Sequence, residues 1–445
     1  MGQEPIRKLL LEQSIPAGIG FLVMSVYSIV DIYFVSQYIG KVAIAAINVV
    51  LPITFLISSI GMAIGIGGAS IISRALGAGD REKAFLTFGN QAGMTVTLAV
   101  VMVILGGFLD VPMLKLFGAN AEIIPEAQKY LDILLIGVPF LAWAMMSNNV
   151  IRAEGKPKVA MLTLMIPAVV NIILDPIFIA VLDMGIEGAA WATTIGYLAS
   201  AVHIVIFYAG KKSELKIRKA NLKPNLPIVK EIFSIGSITL ARQGSFSILA
   251  IVINNSLDVY GGSLAIATYG IVRSLTLFIA FPVIGIMQGF MPIAGFNYGA
   301  QYLHRVRESI NLSLVWSTVV STVVFVAVYL SADLIAGFFT DDADLLRETP
   351  PALRFIFMGV PVMGVSMISA AYFQSIGKSG PALFLTLTRQ IIFLIPLVYL
   401  FSNFWGLNGI WYAFPAGEVL AAIVCGIWLN AEVRRTLVSH QPQNS

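Results

Sequence analysis

Charged residues are scarce in this chain. Only 12% of its 445 residues are Asp, Glu, Lys or Arg, against about 25% in soluble globular proteins. Hydrophobic residues make up 58% of the chain. So much apolar surface favours lipid over water as the surrounding solvent, because exposing it to water is unfavourable. The composition therefore excludes an ordinary soluble enzyme and predicts an integral membrane protein.

Cysteine and histidine are nearly absent as well. The chain has one cysteine, Cys425, and three widely spaced histidines, His203, His304 and His440. One cysteine forms no internal disulfide and no metal cluster. We therefore expect no catalytic residue, no enzymatic activity, no cofactor and no nucleic-acid partner. The polar N-terminus lacks the features of a removable signal peptide.

Long apolar runs are abundant. A helix needs about 20 apolar residues to cross a bilayer. Twelve segments meet this requirement: 14–38, 43–72, 87–109, 128–151, 159–182, 188–209, 228–257, 264–290, 306–331, 352–376, 380–402 and 408–431. The predicted fold is all-α, with twelve transmembrane helices.

The distribution of Lys and Arg predicts the orientation of these spans. With the N-terminus inside, the inner segments carry 20 of the 28 basic residues, the outer segments carry five and the spans carry three. Positive residues accumulate in cytoplasmic loops. We therefore expect a multi-pass protein of the cytoplasmic (inner) membrane, with both termini in the cytoplasm.

An internal repeat relates the two halves of the chain. At a shift of 222 residues, Val42–Val50 aligns with Leu264–Val272, and Gly137-Val138-Pro139 aligns with Gly359-Val360-Pro361. An even number of helices per half makes the two copies parallel. The predicted domains are an N-terminal six-helix bundle (1–210), a cytoplasmic linker (211–227) and a C-terminal six-helix bundle (228–445), with substrate bound in a central cleft.

Two acids inside the first-half spans suggest a coupling site. A charged residue at mid-membrane costs roughly 2.5–3.5 kcal/mol on insertion scales. Asp31 and Asp175 lie at one predicted level, together with Thr193, and Asn171 precedes Asp175 by one helical turn. Such oxygen ligands suit a hard cation or a proton shared between coupled acids. The alternative is that the two acids are unrelated, each snorkelling or capped by a hydroxyl.

The repeat bears on this choice. At the shift of 222, Asp31 aligns with Ile253 and Asp175 with Leu397. Because the second half lacks the acids, the fold does not require them for packing. We therefore interpret them as functional.

Other residues are candidates for substrate contact or motion. Methionines and an aromatic ring near the acids suit a pocket for flat cations, although ordinary packing would also explain them. The substrate-binding candidates are Tyr27, Met24, Met145, Asn148 and Asn149. Pro16 predicts a kink in the helix that carries Asp31, either static or moving.

Three arginines and one further acid also fall inside spans. We interpret Arg389 and Glu418 as a structural ion pair rather than as a substrate contact. Arg242 and Arg273 could face the cleft or pair with backbone carbonyls. The predicted span 43–72 contains a run of glycines: Gly61, Gly65, Gly67 and Gly68. This run indicates close helix packing rather than a nucleotide-binding loop, because it lies in a span and lacks the lysine of a phosphate-binding loop.

These features together resemble the multidrug and toxic compound extrusion (MATE) family over essentially the whole chain. The resemblance rests on the repeat, Pro16 and Asp31 in the first helix, and four short motifs. The motifs are Gly77-Ala78-Gly79 after the second helix, Arg152-Ala153-Glu154-Gly155, Asn171-Ile172-Ile173-Leu174-Asp175-Pro176 and Gly188-Ala189-Ala190-Trp191-Ala192-Thr193. The chain looks like the DinF-like branch, whose coupling acids lie in the first bundle.

The resemblance implies export of cationic or amphipathic small molecules, in exchange for H⁺ or Na⁺, by a protein that works as a monomer in lipid. It implies coupling roles for Asp31, Asp175, Asn171 and Thr193. The residues themselves leave the choice between H⁺ and Na⁺ open. The alternative function is a lipid-linked oligosaccharide flippase, which would require Arg242, Arg273 and Arg389 to face the cleft.

Overall fold

The computed structural model describes residues 1–216 and 219–438, and these form helices joined by short turns, with no strand among them. The helices of the first half are α1 (Ile6–Tyr38), α2 (Lys41–Gly77), α3 (Arg81–Leu116), α4 (Ile124–Ala153), α5 (Pro157–Asp175) with a π-helical continuation (Pro176–Val181), and α6 (Gly185–Ala209). A 3₁₀ turn (Lys219–Leu222) follows. Residues 217 and 218 of the predicted linker, and 439–445 of the predicted C-terminal bundle, lie outside the described ranges.

The second half repeats this architecture with more interruptions. Its helices are α7 (Leu226–Gly299), α8 (Leu303–Phe339), α9 (Ala343–Phe357), α10 (Val360–Ser375), α11 (Ser379–Leu387), a π-helical segment (Thr388–Leu394), α12 (Ile395–Trp405) and α13 (Leu407–Glu432), which continues as a π-helical turn (Val433–Val438). Many helices extend beyond the predicted spans, because polar residues at their ends continue the helix past the apolar run.

Within residues 1–216 and 219–438, ten helices are long and apolar enough to cross a membrane, and the bent pair α9 and α10 makes an eleventh span, with an angle of 45° between its parts. The 74-residue α7 is broken at Gly262, which has φ 60° and ψ −156°. A positive φ with this ψ is open essentially only to glycine. Each arm of α7 exceeds the about 20 residues that a crossing needs. Counting both arms gives twelve spans, and the prediction of an all-α fold of transmembrane helices is confirmed.

The chain forms two compact units, which do not divide at the linker. One unit is Ile19–Thr239, and the other combines Met1–Gly18 with the described residues from Leu240 onward. The predicted C-terminal bundle begins at residue 228, so the start of α7 packs with the first unit. The boundary inside α1 lies two residues after Pro16, although α1 itself is one continuous helix. A kink at Pro16 stays a prediction.

Glycines allow the helices of the unit 19–239 to approach closely. A Cβ atom added at Gly65 would lie 2.9 Å from the carbonyl oxygen of Met146, and one at Gly236 would lie 2.6 Å from that of Ala63. Gly67 is pressed against the backbone of Ile232. The close-packing interpretation of the glycine run is therefore confirmed.

The linker is attached to α3 and to the C-terminal end of α4. Glu154 Oε1 accepts hydrogen bonds from Ser213 Oγ and the Leu215 amide, each at 2.8 Å. Asn90 Oδ1, on the third turn of α3, accepts a hydrogen bond from the Asn225 amide at 2.7 Å. The described part of this polar segment is thus held in place by side chains of α3 and of the α4 C-cap.

Candidate functional site

Asp31 and Asp175 lie next to each other inside the unit 19–239. Asp31 is 8% exposed and Asp175 is fully buried. Their carboxyl groups lie within hydrogen-bonding reach of each other. Two ionised carboxylates within hydrogen-bonding reach repel each other strongly, and one proton shared between them relieves the repulsion.

The local backbone at Asp175 follows from Pro176. Proline has no amide hydrogen, so it interrupts the α-helical hydrogen-bond ladder. The chain continues as the π-helical segment Pro176–Val181, and Asp175 is the last residue of α5. π-helical segments are frequent at functional sites, where they re-aim a side chain.

Asn171 and Thr193 complete a connected polar cluster. With the Asn171 amide nitrogen directed at Asp175, it donates to Asp175 Oδ2 at 2.5 Å. The Asn171 oxygen then accepts from Thr193 Oγ1 at 3.1 Å and from the Thr193 amide at 3.3 Å. This orientation satisfies both ends of the amide, which is the criterion for assigning it. The structure therefore brings together all four residues for which the sequence predicts a coupling role.

A cavity of about 240 Å³ opens beside this cluster. Asp31, Thr193 and Tyr27 form part of its wall. Substrate contact by Tyr27 stays a prediction. One oxygen of Asp31, Oδ1, is buried and has no hydrogen-bond partner among the described residues. An unpaired buried oxygen is costly, and it is a natural acceptor for a proton or a cation.

Two further tyrosines, which the sequence did not indicate, line the cavity. Tyr130 comes from α4 and Tyr197 from α6. Tyr197 follows Thr193 by four residues, one helical turn, and that spacing is the signal that could have identified it. Tyr130 carries no comparable signal, since tyrosines also occur in ordinary helix packing.

The remaining substrate candidates lie elsewhere in the unit. Asn148 Nδ2 donates to the Ala160 carbonyl at 2.6 Å and to Thr163 Oγ1 at 2.7 Å, which ties α4 to α5. Asn149 Nδ2 donates to the Met145 carbonyl at 3.0 Å. Both amides are buried, as expected for bundle-facing residues.

Two side chains complete the candidate set. Met145 packs against a hydrophobic cluster, and Met24 is half-buried. Substrate contact by the asparagines and methionines stays a prediction.

The second half contains its own charged pair. Arg389 Nε lies 3.3 Å from Glu418 Oε1, and both side chains are largely buried. The predicted ion pair is therefore confirmed. Arg242 contacts Gln374 Oε1 at 3.4 Å, and Arg273 is exposed. Among the described residues, no group of three or more His, Cys, Asp or Glu side chains forms a potential metal cluster.

A set of apolar spanning helices that encloses a buried acid pair beside a cavity defines the class of membrane transporters. The MatE family profile matches residues 16–177 and 238–400, more than half of the chain. The chain belongs to the MatE family, and the predicted resemblance to the MATE family is confirmed. The assignment to the DinF-like branch stays a prediction.

Relatives of known name or structure support this assignment. The multidrug export protein MepA of Staphylococcus aureus (strain MSSA476) is 27% identical over 423 residues, 95% of this chain and 93% of MepA. A solved outward-facing multidrug resistance MATE family transporter is 26% identical, with a TM-score of 0.89 over 97% of both chains.

A transporter of the MOP superfamily from Pyrococcus furiosus, whose binding pocket is described as reversed in polarity, is 26% identical. Its TM-score is 0.90 over 97% of this chain and 96% of its own.

Proposed function

We propose that this protein is a multidrug efflux antiporter that exports cationic or amphipathic small molecules in exchange for protons. The name of MepA and the description of the outward-facing MATE transporter support the export of drugs. Neither favours the flippase alternative. The ion pair of Arg389 with Glu418 also removes one of the three arginines that a pyrophosphate group would need.

The observation that carries proton coupling is the contact between the two carboxyl groups. A hydrogen bond between Asp31 and Asp175 exists only when one of them holds a proton. Full ionisation puts two negative charges into a buried site, where they repel each other and favour a bound cation. The pair therefore has two states that differ in charge, and a change of charge is what an antiporter couples to transport.

The cavity connects this charge to the substrate. Asp31 contributes to the cavity wall, and three tyrosine rings line the same space. Aromatic faces attract organic cations, and a charged Asp31 attracts them further. Pocket polarity distinguishes members of this superfamily, as the description of the Pyrococcus furiosus transporter indicates. An acid beside aromatic rings favours a positively charged substrate.

The transport cycle then follows from linkage. With the acids charged, the cavity accepts a cationic drug; when a proton arrives from outside, the pair is neutralised and the drug is released. Drug and proton must therefore weaken each other's binding by the same factor. We propose that the two repeated halves, 1–210 and 228–445, alternate between inward and outward access, with Pro16 allowing the first helix to bend.

The test is dye efflux from proteoliposomes under a proton gradient and, separately, a sodium gradient. Wild type is compared with Asp31→Asn, Asp175→Asn and the control Asp183→Asn. Asp183 is exposed and has φ 51°, a conformation that asparagine also adopts, so the control changes charge without strain.

We expect efflux under the proton gradient, its loss in Asp31→Asn and Asp175→Asn, and its retention in Asp183→Asn. Efflux that follows only the sodium gradient would show that Na⁺ is the coupling ion and would refute proton coupling. Absence of gradient-dependent efflux for every cationic dye would refute drug export.

A further inference from the structure

A second cavity, of about 170 Å³, lies inside the other compact unit. Residues from α7, just after its break at Gly262, from α9 and from α13 form its walls. The cavity exceeds the space that a single water needs. Its size suits a small molecule or the head group of a larger one.

A buried hydroxyl faces this cavity without a partner. Thr268 lines the cavity and is only 1% exposed. Its Oγ1 atom has no hydrogen-bond partner among the described residues. An unsatisfied buried hydroxyl costs about 1–3 kcal/mol. A ligand atom in the cavity would remove this cost.

The repeat shows that the fold does not need a hydroxyl at this position. Within the segments that align at a shift of 222, Thr268 corresponds to Ala46. Ala46 is fully buried in a hydrophobic cluster of the first half. A methyl group therefore satisfies the packing there, and the hydroxyl of Thr268 has no counterpart role in the fold.

The other walls combine one acid with apolar surface. Glu348 is the acid, and its side chain is 39% exposed, which places it at the rim. Its ion pair with Arg347 Nε, at 3.2 Å, is exposed to water and therefore weak. Trp411, which is 4% exposed, and Leu264 and Leu407 supply the remaining surface. A carboxylate, an indole ring and aliphatic side chains form the kind of site that holds an organic ammonium ion.

We propose that this cavity binds a small organic ammonium group, separately from the site of Asp31 and Asp175. The carboxylate of Glu348 neutralises the charge, Trp411 and the leucines contact the alkyl groups, and Thr268 contributes its unpartnered oxygen. The site is independent of proton coupling, so it stands or falls separately from the proposed transport function.

The experiment measures binding of neopentylammonium, whose N–H groups can donate to Thr268 Oγ1, to the purified full-length protein by saturation-transfer NMR. Neopentyl alcohol, which has a similar shape and no charge, serves as the neutral comparison. The variants are Glu348→Gln and Thr268→Val, which keep the shape of each side chain. The matched control is Glu126→Gln, because Glu126 aligns with Glu348 at the shift of 222 and pairs with Lys129 at 2.8 Å on the surface.

We expect saturable binding that weakens by about two- to fivefold in Glu348→Gln. We also expect weaker binding in Thr268→Val, unchanged binding in Glu126→Gln, and little binding of neopentyl alcohol. Binding that is absent, or that persists unchanged in Glu348→Gln, would overturn the proposal. Equal binding of the neutral alcohol would overturn the ammonium assignment.

Discussion

The close contact between α2 and the start of α7 lets us predict how much Gly236→Ala destabilises the protein. In the unit 19–239, a Cβ atom at Gly236 would lie 2.6 Å from the Ala63 carbonyl oxygen. An ordinary van der Waals contact begins at 3.4 Å, so Gly236→Ala requires the two backbones to separate by about 0.8 Å (3.4 minus 2.6). Neither partner is a flexible side chain that could move aside.

We expect Gly236→Ala to reduce the free energy of unfolding by about 1–3 kcal/mol, the range for overpacked sites. For a unit of this size, the melting temperature should fall on the order of 5 °C. The assay is thermal unfolding of the purified protein in detergent, followed by the loss of the monodisperse peak in size-exclusion chromatography.

The control for this prediction lies in the same helix. Gly244 has no atom within 4 Å of its added Cβ and is exposed. Gly244→Ala should therefore be neutral or stabilise by about 0.5–1 kcal/mol, because alanine loses less backbone entropy on folding. If Gly236→Ala were as stable as Gly244→Ala, the close approach of α2 and α7 would be refuted.

Three further substitutions test other contacts. Glu154→Ala removes an acceptor of the Ser213 hydroxyl and the shorter of the two hydrogen bonds of the Leu215 amide, which keeps only Ser213 Oγ at 3.2 Å. It should cost about 1 kcal/mol for each hydrogen bond lost and speed tryptic cleavage of the linker; unchanged cleavage would contradict this attachment. Burial raises the pKa of Glu154. Its contribution to folding stability is therefore fully present below the ordinary pKa range of glutamate and is lost as the pH rises through the raised pKa. Glu154→Gln should abolish this pH dependence, which proteolysis at a series of pH values measures. Glu418→Gln leaves Arg389 unpaired and should lower the melting temperature more than Arg389→Met with Glu418→Met does; the reverse order would exclude a structural pair. Thr193→Val should reduce proton-driven efflux while the protein stays folded, and wild-type efflux would remove Thr193 from the site.

Much of the candidate site could be predicted because charge in an apolar run is conspicuous. Asp31 and Asp175 stand out against their surroundings, and helix geometry adds Asn171 and Thr193. Tyr130 and Tyr197 could not be predicted with the same force, since a tyrosine in a membrane helix can pack against lipid, protein or a cavity. Only the tertiary arrangement distinguishes these cases.

The fold was predictable to the extent that apolar length determines it. The interruptions within helices were harder to predict, because they depend on local backbone geometry and on the helices packed beside them. The break of α7 at Gly262 falls in the gap between two predicted spans, 228–257 and 264–290, whereas the bend between α9 and α10 falls inside one predicted span. The attachment of the linker through Glu154 and Asn90 was also hidden, since polar loops and docked segments have similar composition.

The two halves share a fold but differ in chemistry, and the structure shows how. Ile253, which corresponds to Asp31, is fully buried in a hydrophobic cluster of the second half. Leu397, which corresponds to Asp175, packs against the same cluster. Apolar side chains therefore fill these positions well. The buried acids of the first half lower the stability of the folded protein, and packing does not explain why they are there. Their hydrogen-bonded pairing beside a cavity supplies the functional reason, and it locates the proposed proton coupling in the first half alone.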